Sequence, residues 1–281
     1  MTAASRLARS VSTALLPRQE RERLAHLRFH DAGHGYDLLG LELDALIAAV
    51  AASSFLYERY FRVSSHGAEH IPAEGAAVLA CNHSGLLALD GVVVVMDVLR
   101  HTNPPRLPRA VGDLFLQLLP WVGAMFARVG VVSGTRGNFR HLLESGELAL
   151  VFPEGTPGIG KGYKKRYQLQ EWRVGHVELA LRQRAPVVPV AVIGAEESWP
   201  QIARIDGVRA FGAPYLPIPA TPFPLPTHHH VYYGQPLYLH ERYPPDGADD
   251  PEVTDAAAAE VKAAVAALIE RGLAERPGVF R

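Results

Sequence analysis

The chain has 281 residues, of which 48% are hydrophobic and 20% are charged, a composition typical of a globular protein without long disordered tracts. A formal net charge of −1 at pH 7 argues against a dedicated nucleic-acid-binding protein, whose binding face is usually basic. The only cysteine, Cys81, excludes an intramolecular disulfide framework and fits a reducing compartment.

The sequence favours at most a peripheral contact with membranes. No apolar run reaches the roughly 20 residues that a membrane-spanning helix needs. The apolar stretch near the N-terminus is too short for a signal peptide and contains Ser12 and Thr13. Residues 1–30 carry six arginines, Arg6 and Arg9 among them, against two glutamates. This pattern fits a basic arm on an anionic lipid surface as well as it fits an ordinary solvated helix.

The predicted elements divide the chain into three parts. Residues 1–61 are expected to form an N-terminal helical, membrane-proximal segment, with its main helix over 37–61. Strands and helices then alternate over 76–193, which predicts an α/β domain over 62–245 with a largely parallel sheet and right-handed crossovers. Residues 246–281 hold a final helix over 255–271, with Gly272 as its expected C-cap.

Two stretches inside the α/β domain allow alternative interpretations. Residues 114–127 contain no charged side chain, and Pro120 is expected to kink the predicted helix; the stretch is suited either to the core or to contact with lipid. A proline-rich irregular loop is predicted over 214–226, followed by a strand pair over 228–239 that turns at 234–236. The adjacent histidines 228–230 are not expected to bind a metal ion, because successive strand side chains point to opposite faces.

Candidate catalytic side chains occur in residues 75–91. A short apolar run over 76–81 predicts a buried strand, and it ends at Asn82 and His83, with Asp90 a few residues later. A histidine beyond a buried strand, with a carboxylate to orient it, is a candidate general base. The alternative is structural, with His83 at the end of the strand and Asp90 as the N-cap of the next helix.

The spacing sets a geometric condition on this pair. If residues 83–90 were helical, the two side chains would lie roughly 10 Å apart along the axis, too far for a hydrogen bond. A working pair therefore requires the segment 84–89 to fold back as a loop, which Gly85 favours.

Four segments in one order resemble the glycerolipid acyltransferase superfamily, which includes the 1-acylglycerol-3-phosphate acyltransferases. They are Asn82-His83 with Asp90, Gly130-Val-Val with Arg136, the Val-Phe-Pro-Glu-Gly-Thr stretch over 151–156, and the Ala-Pro-Val-Val-Pro-Val stretch over 185–190. Each segment alone is weak, but together, over about 110 residues, they are specific. The resemblance covers roughly residues 60–240 and implies a mixed, largely parallel sheet flanked by helices.

The resemblance also implies roles for individual residues. His83 would deprotonate the acceptor hydroxyl and Asp90 would orient its imidazole, so that the hydroxyl oxygen attacks an acyl thioester without an acyl-enzyme intermediate. Arg136, Gly155 and Thr156 match positions that hold the acceptor phosphate. The other residues expected at the site are Glu154 as an organising acid, and Asn82, Ser84, Arg128, Gly130 and Lys161 as substrate contacts.

The chain departs from the family pattern at two places. Six residues separate His83 from Asp90, where the usual motif has four, and Pro157 stands where an arginine commonly follows the Gly-Thr pair. Lys161 or Lys164 could supply the missing charge, although a lysine lacks the bidentate fork of an arginine. The acceptor could also differ from lysophosphatidate.

The leading hypothesis is therefore an O-acyltransferase that moves a fatty acyl group to a lysophospholipid hydroxyl. Acyl-CoA or acyl-carrier protein would be the co-substrate, with no metal or other cofactor, and the expected partner is the lipid surface on the cytoplasmic face of a membrane. The alternative is an inactive lipid-binding or scaffold protein on the same fold. A serine hydrolase is disfavoured, because the sequence contains no Gly-x-Ser-x-Gly motif.

Overall fold

The computed structural model describes residues 16–84, 89–114, 116, 121–206, 215–244 and 246–281. Three predictions lie wholly or partly outside these residues. They concern the start of the basic arm with Arg6 and Arg9, the interior of the loop between Ser84 and Leu89 with Gly85, and the Pro120 kink.

A seven-stranded sheet forms the centre of the molecule, in the order β1-β9-β6-β2-β5-β3-β4. Every neighbouring pair is parallel except β6 and β9, which confirms the predicted largely parallel α/β fold. A separate antiparallel ribbon joins β7 to β8. The strands are β1 Ser64–His66, β2 Ala77–Cys81, β3 Pro108–Gly112, β4 Val132–Ser133, β5 Leu148–Val151, β6 Val187–Ile193, β7 Gln201–Asp206, β8 Tyr215–Pro219 and β9 His230–Tyr233.

Helices cover both faces of the sheet. Among the described residues they are α1 Arg18–Ala25, α2 Leu43–Phe55, α3 Leu89–His101, α4 Val122–Arg128, α5 Arg136–Glu144, α6 Thr156–Ile159, α7 Gly175–Arg182, α8 Ala195–Ser198, α9 Leu239–Arg242 and α10 Pro251–Glu275. Alternate residues of each central strand point to opposite faces. Val78 and Ala80 therefore pack towards α5, α7 and α10, whereas Leu79 and Cys81 pack towards α3. Because both faces are covered, β2 is apolar and buried along its whole length.

The N-terminal helices pack on the outer side of α3. Leu24 of α1, Leu46 and Val50 of α2, and Met96 and Leu99 of α3 share one apolar cluster. The helix predicted over 37–61 begins later, at Leu43, because the Asp37 carboxylate accepts hydrogen bonds from the backbone amides of residues 39 and 41 and holds a turn. After Phe55 it continues as a π-helical turn over Leu56–Tyr60, close to the predicted end. The division of the chain into three parts stays a prediction.

The C-terminal helix is longer than expected, and its glycine has a different role. Gly272 does not end the helix, since α10 continues to Glu275. A Cβ atom at Gly272 would lie 2.7 Å from Cγ1 of Ile193 and 2.8 Å from the Tyr232 ring. The glycine therefore allows the helix to approach the sheet closely.

The segment after β6 differs from the prediction as well. Residues 215–219, expected within an irregular loop, form β8 and pair with the unpredicted strand β7. Prolines are tolerated there because the ribbon has only two strands, each with a free edge. The expected hairpin over 228–239 is a single strand, β9, after which Leu237 forms an isolated bridge to Val187.

Candidate active site

The candidate site lies at the carboxyl ends of three adjacent strands. β5, β2 and β6 run parallel, and they end at Val151, Cys81 and Ile193. The residues that follow these strands therefore meet at one edge of the sheet, where open α/β sheets place their binding sites. This edge receives residues 82–84, 152–156 and 194–197.

His83 and Asp90 form a hydrogen-bonded pair at this edge. Nδ1 of His83 lies 2.8 Å from Oδ2 of Asp90. The fully buried Asp90 carboxylate also accepts hydrogen bonds from the backbone amides of Ser84, at 2.7 Å, and Gly91, at 2.8 Å. Asp90 is the second residue of α3, and its contacts with His83 and Ser84 show that the two ends of the six-residue spacing lie close together.

The pair defines which ring nitrogen can act as a base. Because the Asp90 carboxylate accepts the proton on Nδ1, Nε2 carries the lone pair in neutral His83. The ring stacks on Phe152, with centroids 4.2 Å apart, and the residue is only 7% exposed. Contacts at one edge and one face therefore hold the imidazole in a single orientation.

Glu154 anchors the backbone of the candidate base. Its Oε1 accepts a hydrogen bond from the backbone amide of His83 at 3.0 Å, and its Oε2 accepts one from the amide of Gln170 at 2.8 Å. The residue is 1% exposed, and Lys161 Nζ lies 3.4 Å from Oε2. This placement supports the organising role that the resemblance implies.

Lys161 lies between two buried carboxylates. In addition to Glu154, it pairs with Oε1 of Glu196 at 3.0 Å. Burial raises the pKa of Glu196 to about 7, although the charge of Lys161 and the backbone amide of Tyr167 act in the opposite direction. The ammonium group of Lys161 is therefore already paired with protein carboxyl groups. Glu196 was not identified from the sequence, which contains no motif around it.

Asn82 and Ser84 make internal hydrogen bonds on either side of the base. The Asn82 side chain is fully buried and bonds to both the amide and the carbonyl of Val192, at 2.8 and 3.2 Å, which ties the end of β2 to β6. The backbone amide of Ser84 donates to Asp90. Their predicted substrate contacts stay predictions.

Gly155 lies directly beneath an arginine that the sequence analysis did not identify. Gly155 has a φ of +56°, and a Cβ atom there would lie 2.9 Å from Cζ of Arg173. Arg173 is 63% exposed in its side chain and donates to Asp113 at 2.8 Å, and its backbone amide bonds to the carbonyl of Pro153. Because Arg173 lies far from Gly155 along the chain, no sequence motif links the two residues. The structure thus places a guanidinium group beside the motif that lacks an arginine at Pro157.

Thr156, Arg128 and Gly130 are bonded to other parts of the chain. Thr156 begins α6, and its carbonyl accepts a hydrogen bond from the Tyr215 hydroxyl at 2.9 Å. Arg128 pairs with Glu42, at 2.5 Å, and the carbonyl of Gly130 accepts a hydrogen bond from Arg109 at 3.0 Å.

Arg136 is the first residue of α5, and its largely exposed side chain pairs with Glu178 of α7. No contact among the described residues joins Arg128, Gly130 or Arg136 directly to His83.

The described residues contain no group of three His, Cys, Asp or Glu side chains arranged to hold a metal ion. The rings of His228 and His230 stack on each other, 4.2 Å between centroids, and His229 packs on Phe61. Within the same residues, no helix has the length and apolarity needed to cross a bilayer.

The sequence and the fold of this chain are similar to those of known proteins. A family model described as Acyltransferase matches residues 62–193, which include the dyad and the Glu154 segment. The fold also matches the crystal structure of PlsC, the 1-acyl-sn-glycerophosphate acyltransferase of Thermotoga maritima. The TM-score is 0.55 and the sequence identity 16%, over 84% of this chain and 83% of that one. Residues 62–193 belong to the Acyltransferase family.

Relatives with higher sequence identity occur in mycobacteria. Uncharacterised proteins of Mycobacterium tuberculosis and Mycobacterium bovis are each 36% identical over 239 residues, and one of Mycobacterium leprae is 34% identical over the same length. The match covers 80% of this chain but 66% of the M. tuberculosis and M. bovis proteins and 64% of the M. leprae protein. This chain therefore spans about two thirds of the length of these relatives.

Proposed function

We propose that the chain transfers a fatty acyl group from the thioester of acyl-CoA or acyl-carrier protein to a hydroxyl of a lysophospholipid acceptor. The observation that supports this most is the 2.8 Å contact between His83 and Asp90, made with Nδ1 so that Nε2 remains for the acceptor. The proposed specific activity is that of a 1-acylglycerol-3-phosphate O-acyltransferase or a related enzyme for another lysophospholipid.

In the proposed reaction, Nε2 of His83 takes the proton of the acceptor hydroxyl while its oxygen attacks the thioester carbonyl. The buried carboxylate of Asp90 stabilises the imidazolium that forms. When the tetrahedral intermediate collapses, the carbon–sulfur bond breaks and the imidazolium returns its proton to the leaving thiolate. The products are an ester and a free thiol.

A covalent acyl-enzyme on Cys81 does not fit this site. Cys81 is fully buried in β2, and burial raises the pKa of its thiol well above the ordinary value. Since the thiolate is the nucleophilic form, this cysteine is a poor nucleophile. Direct transfer to the acceptor is therefore the favoured route.

We also propose that Arg173, together with Gly155, binds the phosphate of the acceptor. The guanidinium group lies against a glycine without a side chain to shield it, and an arginine provides a planar fork of donors that matches a phosphate. Asp113 holds this guanidinium through Nη1. Arg173 would replace the arginine that the family pattern places at Pro157, and Arg136 stays a second candidate.

A lipid surface is the proposed partner of the α4 region. None of the residues of α4 is buried, and Trp121 and Met125 are 88% and 54% exposed. Leu38 on the adjoining N-terminal turn is 76% exposed, and Gly40 of that turn packs against α4. Aromatic and apolar side chains in such a position suit the interface of a membrane. We place the protein on the cytoplasmic face, where its thioester co-substrates occur.

The test is to identify the acylated product. Purified protein would be incubated with palmitoyl-CoA and, separately, palmitoyl-acyl-carrier protein, each with lysophosphatidate, glycerol 3-phosphate, other lysophospholipids or monoacylglycerol. Mass spectrometry should show an acylated lysophospholipid that forms only when both substrates are present. If no acceptor is acylated from either donor while the protein binds liposomes, the alternative of an inactive lipid-binding protein is correct.

A further inference from the structure

A second polar pocket opens beside the candidate base. Its cavity volume is about 20 Å³, which is room for about one water-sized group, and its walls include Ser84, Gly158, Lys161, Glu196 and Gln201. The wall is in close contact with the catalytic dyad, since a Cβ atom on Gly158 would lie 3.0 Å from the Cβ of His83. A group in this pocket would therefore lie close to a substrate hydroxyl at His83.

Gln201 lines this pocket and has a buried polar atom without a partner among the described residues. The residue begins β7 and is only 7% exposed, and its Oε1 atom has no hydrogen-bond partner among the described residues. Buried polar groups in proteins are normally paired, and an unpaired one is costly. A ligand group that reaches the Gln201 amide from the pocket would supply this missing partner.

The charges around the pocket favour a neutral ligand group. Lys161 is the most deeply buried cation of the wall, and it is paired with Glu154 and Glu196. Arg166 lies 3.8 Å from Glu197 and over the Tyr163 ring. A neutral hydroxyl would leave these ion pairs intact, whereas a second phosphate would have to displace a carboxylate from Lys161 or Arg166.

We propose that this pocket binds a hydroxyl of the acceptor's head group, so that the acceptor is a lysophospholipid with a polyol attached to its phosphate. The proposal rests on the function proposed above. A hydroxyl both donates and accepts, so it can pair with the buried end of the Gln201 amide in either orientation of that amide. A choline head group offers no such donor. Gln201 is thus assigned as a specificity-determining residue.

The test compares two acceptors in the variant Gln201→Met, which keeps the length of the side chain and removes its amide. With a lysophospholipid that has a phosphoglycerol head group, we expect the KM to rise about tenfold, the effect of one hydrogen bond. With lysophosphatidate, which has no hydroxyl beyond its phosphate, the KM should stay within about twofold. The matched control is Gln183→Met, at the end of α7.

Three results would overturn the proposal: an equal rise in KM for both acceptors, no rise for either, or a rise in the KM for acyl-CoA alone. The last would mean that the pocket holds the pantetheine arm of the donor. Calorimetric titration with glycerophosphoglycerol and with glycerol 3-phosphate separates this inference from the proposed activity. If the protein does not turn over but binds glycerophosphoglycerol more tightly, and Gln201→Met removes the difference, the pocket assignment stands and the catalytic proposal fails.

Discussion

Replacing Asp90 by asparagine tests the dyad with little change in shape. The Asp90 carboxylate accepts three N–H groups, from His83 Nδ1 and from the backbone amides of Ser84 and Gly91. An asparagine has one oxygen, so its NH₂ group must face either the Gly91 amide or the two donors on the other side. In the second orientation His83 is driven to the tautomer with its proton on Nε2, and the base is lost.

The size of the effect follows from these contacts. General-base catalysis contributes about 10²–10⁴-fold, and we expect kcat/KM of Asp90→Asn to fall by that factor, about 3–5 kcal/mol in the transition-state free energy. The free energy of unfolding should fall by about 1–3 kcal/mol, the cost of a buried donor without a partner. The assay is acceptor-dependent thiol release from acyl-CoA, with urea denaturation of the same samples.

Asp97 provides a matched control on the same helix. It lies seven residues further along α3, about 10 Å along the axis, and it is also fully buried. Its carboxylate accepts hydrogen bonds from Ser65 and Tyr233 and does not contact His83. Asp97→Asn should lose stability while keeping kcat/KM within about threefold. If both variants lose activity in proportion to stability, or Asp90→Asn keeps full activity, the dyad hypothesis is wrong.

Three further predictions address the phosphate contact, acid stability and membrane binding. Arg173→Ala should raise the KM for a phosphate-bearing acceptor by about 10–100-fold, the effect of a charged hydrogen bond, and should leave monoacylglycerol unaffected; equal effects on both would contradict a phosphate contact. Burial lowers the pKa of His229 to about 3, so the folded state binds fewer protons than the unfolded chain below pH 6.5. Stability is then complete above pH 6.5 and is lost as the pH falls, by about 2 kcal/mol per such histidine at pH 5. His229→Phe should flatten the change in urea midpoint between pH 7 and pH 5, and an unchanged slope would count against this. Replacing Trp121 and Met125 with serine should weaken liposome sedimentation by about tenfold or more, since burial of these side chains is worth ~1.5–3 kcal/mol each; unaltered binding would remove α4 from the membrane contact.

The sheet could be predicted because its strands are apolar on both faces. β2, β5 and β6 are each fully buried, so each forms a run of apolar residues that ends sharply at a polar motif. The order of these runs with intervening helices was sufficient to predict a parallel α/β fold. The ribbon of β7 and β8 was missed, because β7 is largely exposed and β8 contains two prolines, so neither strand has this pattern.

The candidate base was found because its chemistry is local, whereas its supports come from distant parts of the chain. His83 and Asp90 lie in one short stretch, although their distance depended on the loop between them. Arg173 approaches Gly155 because its own backbone is bonded to the carbonyl of Pro153, a contact that no spacing in the sequence shows. Gln201 and Glu196 are far from His83 along the chain and come close to the site only in the folded structure.

The most direct test of the central claim is the rate of acyl transfer by His83→Ala. Since the Asp90 carboxylate keeps the backbone amides of Ser84 and Gly91 as donors, the variant should fold. With the acceptor that the wild-type protein uses, we expect the acceptor-dependent rate to fall by about 10³-fold or more, with the melting temperature little changed. A folded His83→Ala protein that transfers the acyl group at the wild-type rate would contradict the role of His83 and the mechanism built on it.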